Sequence, residues 1–327
     1  MGKMRRFLKN NEGFALILTI LIISLIVTLT LQFNASMRSD LYAASNLRDS
    51  IKLGYIAKSG FNWALAILSV DALESDFDSI HDPWMYAKAL SSYSTSIFEE
   101  GRFEVEIMDH SGKIQINQLV DKDGKYNNKQ KDLLTRFLNS KQFGLEPQDV
   151  ANIVDAIKDW MDGDNDTDFG AENAYYQTLE KPYSCKNAPL DSLEELLLIR
   201  GITKELFYGT EDKPGIRHYL SIHGDGKINI NTADPLVLAS LSDQMDEDMV
   251  QNMVTYRMDE ENNLKDLQWY KQVPEMSHVT IDPLLVTTVS TYFEIRSEGF
   301  KDAMRKGVRG MVERREGSFR ILSWNIL

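Results

Sequence analysis

Apolar residues form one uninterrupted block near the start of this 327-residue chain. As a helix rising ~1.5 Å per residue, the block at 14–31 would span roughly 27 Å, close to the ~30 Å core of a bilayer. Four basic side chains precede it: Lys3, Arg5, Arg6 and Lys9. The positive-inside bias keeps that end cytoplasmic. The pattern therefore predicts one membrane-spanning helix over 14–33.

A helical pattern continues beyond this block, with no proline before about residue 70. Apolar side chains recur at spacings of three and four: Leu41, Ala44, Leu47, Ile51 and Tyr55. This spacing places them on one face of a helix. We therefore expect a single helix of about 80 Å, half in lipid and half, over 34–72, laid on a domain.

Alternation of apolar and polar residues predicts strands at 102–109 and 227–231. A further series is predicted near the C-terminus, at 292–297, 307–314 and 319–322. Two helical stretches, 118–221 and 232–288, lie between these strand segments. The sequence thus predicts an α+β fold, in which a long N-terminal membrane-spanning helix joins an α/β body and helices interrupt its antiparallel sheet.

An internal repeat supports this organisation. The strand segment 112–117 reads Gly-Lys-Ile-Gln-Ile-Asn, and 226–231 reads Gly-Lys-Ile-Asn-Ile-Asn. Each is followed by two helical segments of similar apolar spacing: 132–138 and 149–158 after the first, 235–241 and 248–257 after the second. We interpret these as two related helical modules.

The sharpest chemical pattern is the acidic loop after residue 159. Asp162, Asp164, Asp166 and Asp168 alternate with small or polar residues, and Glu172 follows. Alternating carboxylates suit calcium, which takes roughly six to eight oxygen ligands. We expect Asp162, Asp164, Asp168 and Glu172 to be ligands, with Asp166 a further candidate.

This loop is not an EF-hand, because Thr167 and Asn173 occupy the positions of its glycine and closing glutamate. A solvated acidic loop without metal is the alternative. The formal net charge of −13 suits cation binding and disfavours nucleic acid. The sole cysteine, Cys185, excludes an intrachain disulfide, so stability must come from packing or from metal.

Catalytic patterns are not found. The five histidines show no metal-ligand spacing with one another, and no phosphate-binding glycine loop is present. The segment 230–257 is similar to helix-hairpin-helix domains that bind DNA, but its hairpin, 242–248, has no glycine and carries four carboxylates that would repel phosphate. We therefore expect neither an enzyme nor a nucleic-acid partner, and Cys185 has no assigned role.

The N-terminal layout resembles the prepilin family, which includes type IV pilins and the pseudopilins of type II secretion. A basic leader ends at Gly13, and the apolar helix begins at Phe14. The resemblance implies that prepilin peptidase cleaves between Gly13 and Phe14 and that Phe14 is then methylated. An uncleaved signal anchor is the alternative. The glutamate usual at the fifth mature position is replaced by Leu18, which points to the K-type minor pseudopilins.

Further segments are similar to general secretion pathway protein K, the K-type family. They are 155–164, Gly170-Ala-Glu172, 187–201 and 228–233. The resemblance implies a structural protein at the pseudopilus tip, anchored once in the inner membrane with a periplasmic C-terminal domain that binds calcium. Its expected partners are the I-type and J-type minor pseudopilins and the secretion machinery.

The predicted domains follow from this resemblance. Residues 1–13 form the leader, 73–117 and 224–327 the pseudopilin body with the second helical module at 232–288, and 118–223 an inserted helical domain with the calcium loop. Two other functions stay open at this point: a minor tip pilin of a type IV pilus, and an anchored calcium-dependent binding protein.

Mass spectrometry of the chain isolated from membranes of a host with its native prepilin peptidase tests the predicted processing. We expect a mature N-terminus that begins with methylated Phe14. An intact Met1, or a cut beyond Leu31, would contradict membership of the prepilin class.

Overall fold

The computed structural model describes residues 11–167 and 169–327. Its α-helices are α1 (Asn11–Glu74), α2 (Ala87–Leu90), α3 (Asn128–Leu138), α4 (Pro147–Met161), α5 (Asn173–Tyr176), α6 (Lys204–Tyr208), α7 (Pro235–Ala239) and α8 (Glu247–Arg257). Its strands are β1 (Arg102–Asp109), β2 (Ile114–Gln115), β3 (Leu220–Ser221), β4 (Ile228–Asn229), β5 (Val286–Thr287), β6 (Tyr292–Lys301), β7 (Met304–Arg315) and β8 (Ser318–Ile326). These elements confirm the α+β class.

The N-terminal helix α1 is continuous over 64 residues, as the sequence pattern predicts. At ~1.5 Å per residue it is about 96 Å long. Its most apolar 18-residue window has a mean hydropathy of 2.8 and no buried residue, so by length and composition it can cross a membrane. Most of the predicted leader, residues 1–10, lies outside the described residues.

Only the C-terminal part of α1 packs on the rest of the protein. Leu53, Ile56, Phe61 and Leu68 are buried against the sheet. The stripe from Leu41 to Tyr55 is exposed, with Leu41 62% and Tyr55 69% accessible. The apolar packing is thus shorter than predicted, because it begins only at Leu53, where the backbone of Gly299 approaches; before that residue the sheet reaches the helix through polar contacts such as Lys301 with Asp49.

A glycine sets the distance between α1 and the sheet. A Cβ atom on Gly60 would lie 2.3 Å from Ser297 Oγ and 2.8 Å from the Phe103 ring. These separations are too short for any larger residue, so Gly60 lets helix and strand backbones come close. The helix tolerates the ~1 kcal/mol propensity cost of glycine because tertiary packing offsets it.

The main sheet has the strand order β1-β6-β7-β8, and all its pairings are antiparallel. Its first strand is separated in sequence from the other three by the helical region, which confirms that helices interrupt the sheet. In β1 the apolar residues Phe103, Val105 and Ile107 face α1, as their alternation predicts. The C-terminal strands are longer than predicted, because β6 and β7 form an extended hairpin.

The other face of this sheet is polar and lies toward the helical region. Glu294 pairs in register with Met108 on one side and Met311 on the other. Arg296 and Arg309 are neighbours in the next row of the same face. The sheet therefore has one apolar face for α1 and one charged face for the inserted residues.

The helical region has its own continuous core, which runs from Ile114 to Val286. Both predicted modules contribute to it, and helices lie at the predicted repeat positions in α3, α4, α7 and α8. The repeated strand segments also match: β2 pairs in parallel with β3, and β4 with β5. The domain boundaries given above stay a prediction.

A buried charge cluster joins α1 to the sheet. Arg314 donates to Asp78 Oδ1 at 2.8 Å and to Asp71 Oδ2 at 3.1 Å. Asp78 is fully buried, and its Oδ2 accepts the Ser290 amide at 2.7 Å. Carboxylate oxygens of Asp71, Asp78 and Asp82 lie within 4.8 Å of one another, so Arg314 supplies the cation that this group requires.

Asp78 also binds residues of the second repeat. The side-chain amides of Asn229 and Asn231 donate to the Asp78 carbonyl at 3.2 and 3.0 Å. Asn231 also accepts from the Trp269 indole at 2.7 Å. The residues that follow α1 are therefore fixed to both the sheet and the helical region.

Replacing Arg314 by Met is expected to lower the free energy of unfolding by about 3–5 kcal/mol, because two buried carboxylates lose their cation. Urea titration of the full chain at pH 8, followed by tryptophan fluorescence, measures this loss. The exposed neighbour Arg315, changed to Met, is the matched control and is expected to cost less than about 1 kcal/mol.

The loss of unfolding free energy in Arg314→Met should depend on pH. Burial, and then the like charges of Asp82 and Asp78, raise the pKa of Asp71. A carboxyl whose pKa is raised takes up a proton as the pH falls toward 5, and the proton then removes the uncompensated charge. The Arg314→Met penalty should therefore be smaller at pH 5 than at pH 8; an equal penalty at both would contradict this electrostatic account.

Candidate metal centre

The acidic loop begins where α4 ends. This helix starts with Pro147 in its first turn, where a missing amide hydrogen costs nothing, and its apolar face is buried in the helical core. Asp162 follows the last helical residue with an extended backbone, and its amide donates to the Lys158 carbonyl at 2.9 Å. The end of a well-packed helix thus fixes the first predicted ligand.

Three of the predicted ligands come together. Asp162, Asp164 and Glu172 each place a carboxylate oxygen within 4.8 Å of the others. Asp162 and Glu172 are each only 2% exposed, whereas Asp164 is exposed. Glu172 also caps α5, because its Oε2 accepts the Asn173 amide at 3.3 Å.

The remaining two predicted residues differ from these. Asp166 is exposed and does not belong to the group, although its amide donates to Asp164 Oδ1 at 2.9 Å and shapes the turn. Asp168 lies outside the described residues. The structure thus gathers Asp162, Asp164 and Glu172 and leaves Asp168 a prediction.

Two residues near the group were not predicted. Asp159 lies one helical turn before Asp162 and is buried, with Oδ2 lacking a hydrogen-bond partner among the described residues. Asn187 donates to the Asp164 carbonyl at 2.7 Å, and its own Oδ1 is buried without such a partner. The three-residue spacing of Asp159 and Asp162 was a usable signal, but nothing local in sequence indicated Asn187.

Gly170 makes room for the Asp159 carboxylate. A Cβ atom on Gly170 would lie 2.1 Å from Asp159 Oδ2 and 2.7 Å from the Asp155 carbonyl oxygen. The Gly170 carbonyl is also held by Arg200, whose Nη1 donates at 3.1 Å. Glycine is therefore required where the loop returns past α4.

Electrostatics show that the centre carries excess negative charge. Burial raises the pKa of Glu172 to about 7, and the neighbouring Asp159, Asp162 and Asp164 add to the effect. Burial likewise raises the pKa of Asp159 to about 6, against the opposing charge of Lys158. The Lys158 ammonium hydrogen-bonds Asp162 and lies 3.6 Å from Asp159 Oδ1. One lysine thus faces four carboxylates.

The donor set fits a hard divalent cation. Two oxygens bound to one calcium at about 2.3–2.6 Å lie at most about 5 Å apart, which matches the observed grouping. Asp162 Oδ1 and Glu172 Oε1 are buried and lack hydrogen-bond partners among the described residues. Unpaired buried carboxylate oxygens are costly, and a cation would satisfy them.

Cys185 borders the centre without offering a suitable ligand. Its Sγ lies 3.4 Å from the Asp159 carbonyl oxygen, and its amide donates to Asn173 Oδ1 at 2.7 Å. Burial raises the pKa of this thiol to about 11, so it stays protonated. A protonated thiol packs as a small apolar group, which accounts for Cys185 structurally.

Comparison with protein families gives matches over both helical modules. Residues 112–209 and residues 228–290 match family models described as type II secretion system protein K. The first stretch contains the whole candidate metal centre. The second contains α7, α8 and the paired strands β4 and β5.

Known relatives extend the similarity to most of the chain. Type II secretion system protein K of Aeromonas hydrophila is 24% identical over 302 residues, which cover 88% of this chain and 88% of the relative. The protein of the same name from Klebsiella pneumoniae is 24% identical over 231 residues, 69% of this chain and 67% of the relative.

A solved structure has the same fold. A chain in the crystal structure of the GspK–GspI–GspJ complex from the enterotoxigenic Escherichia coli type 2 secretion system superimposes with a TM-score of 0.67 at 16% identity. The match covers 87% of this chain and 99% of that one. The chain therefore belongs to the family of type II secretion system protein K, the minor pseudopilins of that machinery.

Proposed function

We propose that this minor pseudopilin occupies the tip of the type II secretion pseudopilus, anchored by α1 in the inner membrane with its C-terminal region in the periplasm. The observation that carries the proposal is the exposed stripe of α1 between Leu41 and Tyr55. Apolar side chains on a long helix outside the membrane need cover, and the helices of neighbouring pseudopilins supply it. The role is structural, with no catalytic step.

The partners in this proposal are the I-type and J-type minor pseudopilins. The similar chain of known structure was crystallised in a complex named for three such proteins. Prepilin peptidase would first cleave after Gly13, which is an exposed residue at the start of α1. The family match favours secretion over the two alternatives, a type IV tip pilin and an anchored binding protein.

The tip position is supported by Leu18 and by the width of the head. Leu18 is exposed on α1 at the level where a pilin glutamate would pair with the amino terminus of the next subunit. Without that carboxylate the subunit lacks the charge pairing that places it within the stack. The large helical region between β1 and β6 would also obstruct a subunit added above it.

We further assign calcium to the candidate metal centre, with Asp162, Asp164 and Glu172 as ligands and Asp168 as a fourth. The support is the buried, unpartnered oxygens of Asp162 and Glu172. Calcium would join the end of α4 to the start of α5 and neutralise charge that Lys158 alone does not balance. Its role is to hold the loop between these helices.

Replacing Leu18 by Glu tests the tip assignment. A carboxylate at this level can pair with the amino group of Phe14 on a neighbour, and this pairing would place the subunit within the stack and not at the tip. We therefore expect about half or less of the chain to be recovered with the other minor pseudopilins. Affinity purification from cross-linked membranes measures the recovery, and secretion is assayed alongside.

The matched control is Leu21→Glu, which adds the same charge to another exposed position of the apolar helix. Normal assembly and secretion of Leu18→Glu would remove the role of this position. Equal loss in both variants would show only the general cost of a charge in the membrane.

Replacing Asp162 by Asn tests the metal centre. Calcium at about 100 times its dissociation constant should stabilise the unsubstituted chain by about 2.7 kcal/mol relative to chelator, because only the folded state binds. We expect the Asn variant to lose most of this gain, measured as the shift of its thermal midpoint on adding calcium.

Asp212→Asn, the same change in an exposed loop of the helical region, is the control and should keep the full calcium shift. The assignment fails if calcium does not stabilise the unsubstituted chain. It also fails if Asp162→Asn and Asp212→Asn respond to calcium alike.

A further inference from the structure

A second site lies between the charged face of the sheet and the helical region. It is a cleft of about 750 Å³, within the roughly 300–1,000 Å³ range of ligand pockets. Its floor comes from β1, β6, β7 and β8, and its opposite wall from residues 190–194 and 217–223. The cleft is separate from the metal centre, because none of Asp162, Asp164 and Glu172 lines it.

The lining carries four cationic side chains against three carboxylates, Asp191, Glu194 and Glu294, in a chain whose net charge is −13. The four cationic side chains are Lys113, Arg217, Arg296 and Arg309. Two of these are paired within the cleft, since Arg309 donates to Glu294 at 2.5 Å and Arg217 to Glu194 at 2.7 Å. Arg296 makes only longer ion pairs, and Lys113 makes none among the described residues.

Arg296 has no close acceptor. Its nearest carboxylate oxygens are Glu294 Oε1 at 3.6 Å and Glu106 Oε2 at 3.9 Å, both beyond hydrogen-bond distance. Arg296 Nε is buried and lacks an acceptor among the described residues. Glu294 Oε1, in a side chain only 4% exposed, similarly lacks a donor in that part of the chain.

Lys113 differs from Arg296 in having no ion pair among the described residues. Within residues 11–167 and 169–327 no carboxylate oxygen lies within 4.0 Å of its ammonium group. Burial lowers its pKa, and the nearby positive charges of Arg309 and Arg217 add to this, against Glu294 and Asp109. A half-buried ammonium without a carboxylate at ion-pair distance is costly to keep, and an added anion would relieve that cost.

We propose that this cleft binds an acidic segment of another protein, with the segment's carboxylates placed between Lys113 and Arg296. The lining also contains apolar side chains, among them Met108 and Met311 from the sheet and Leu193 from the helical region. A segment that alternates acidic and apolar side chains matches this lining. A carboxylate fits Arg296 especially well, because a guanidinium binds it through two parallel hydrogen bonds.

The charge of the whole chain favours a short segment over a polyanion. A nucleic acid or an anionic membrane would meet repulsion from the acidic surface outside the cleft. A small free carboxylate would leave the apolar side chains of the lining uncovered. A protein segment needs only two or three carboxylates within the cleft, and its apolar side chains can contact those of the lining.

Fluorescence anisotropy with the full chain in lipid nanodiscs tests this proposal. The probe is a fluorescein-labelled pentapeptide of alternating glutamate and leucine, compared with the same peptide carrying glutamine. We expect binding of the glutamate peptide alone, and weakening of about tenfold or more in Lys113→Met and in Arg296→Gln. Empty nanodiscs measure the background binding of the peptide's leucine side chains to lipid.

The matched control is Lys141→Met, which removes an exposed cation that does not line the cleft and should change affinity less than about twofold. Lys113→Met should keep or raise the thermal midpoint, because it removes a poorly paired, half-buried charge, and this separates lost binding from misfolding.

Three results would overturn the proposal. One is equal binding of the glutamine peptide, and another is equal weakening by Lys141→Met. The third is complete displacement of the peptide by citrate at the same carboxylate concentration, which would assign the cleft to free small carboxylates.

Discussion

The buried ion pair between Asp78 and Arg314 is the interaction on which the arrangement of this protein depends. Asp78 lies just after α1, Arg314 lies on β7, and the Asp78 carbonyl is bound by Asn229 and Asn231 of the second module. Three parts of the chain that are distant in sequence therefore meet at one aspartate. Because this residue is fully buried, each of its oxygens needs its partner.

The periodic parts of the fold were predictable from sequence. The apolar block fixed α1, strict alternation fixed β1 to the residue, and the repeated strand segments indicated two related modules. These features succeed because one helix face or strand face determines them locally. The strand pairs β2–β3 and β4–β5, in contrast, depend on residues about 58 to 106 positions apart, and no local pattern indicates them.

The sites were predictable only in part, for the same reason. Asp162, Asp164 and Glu172 follow one another closely, so their spacing indicated a shared ligand. Asn187, whose own backbone has a positive φ of 50°, reaches that loop from a later segment. The cleft could not be predicted from the sequence, because Lys113 and Arg296 are distant in the chain and line one cleft only in the folded protein.

The continuity of α1 has a mechanical consequence. A helix with no proline between the membrane and the sheet lacks the commonest cause of a sharp kink, and Gly60, one of two glycines in the packed part together with Gly54, is held against Ser297 and Phe103. Axial displacement or rotation imposed on its membrane end therefore reaches the sheet with little loss. The head would then move together with the helix, and a force applied at the membrane end would reach the sheet where packing begins at Leu53, about 30 Å beyond residue 33.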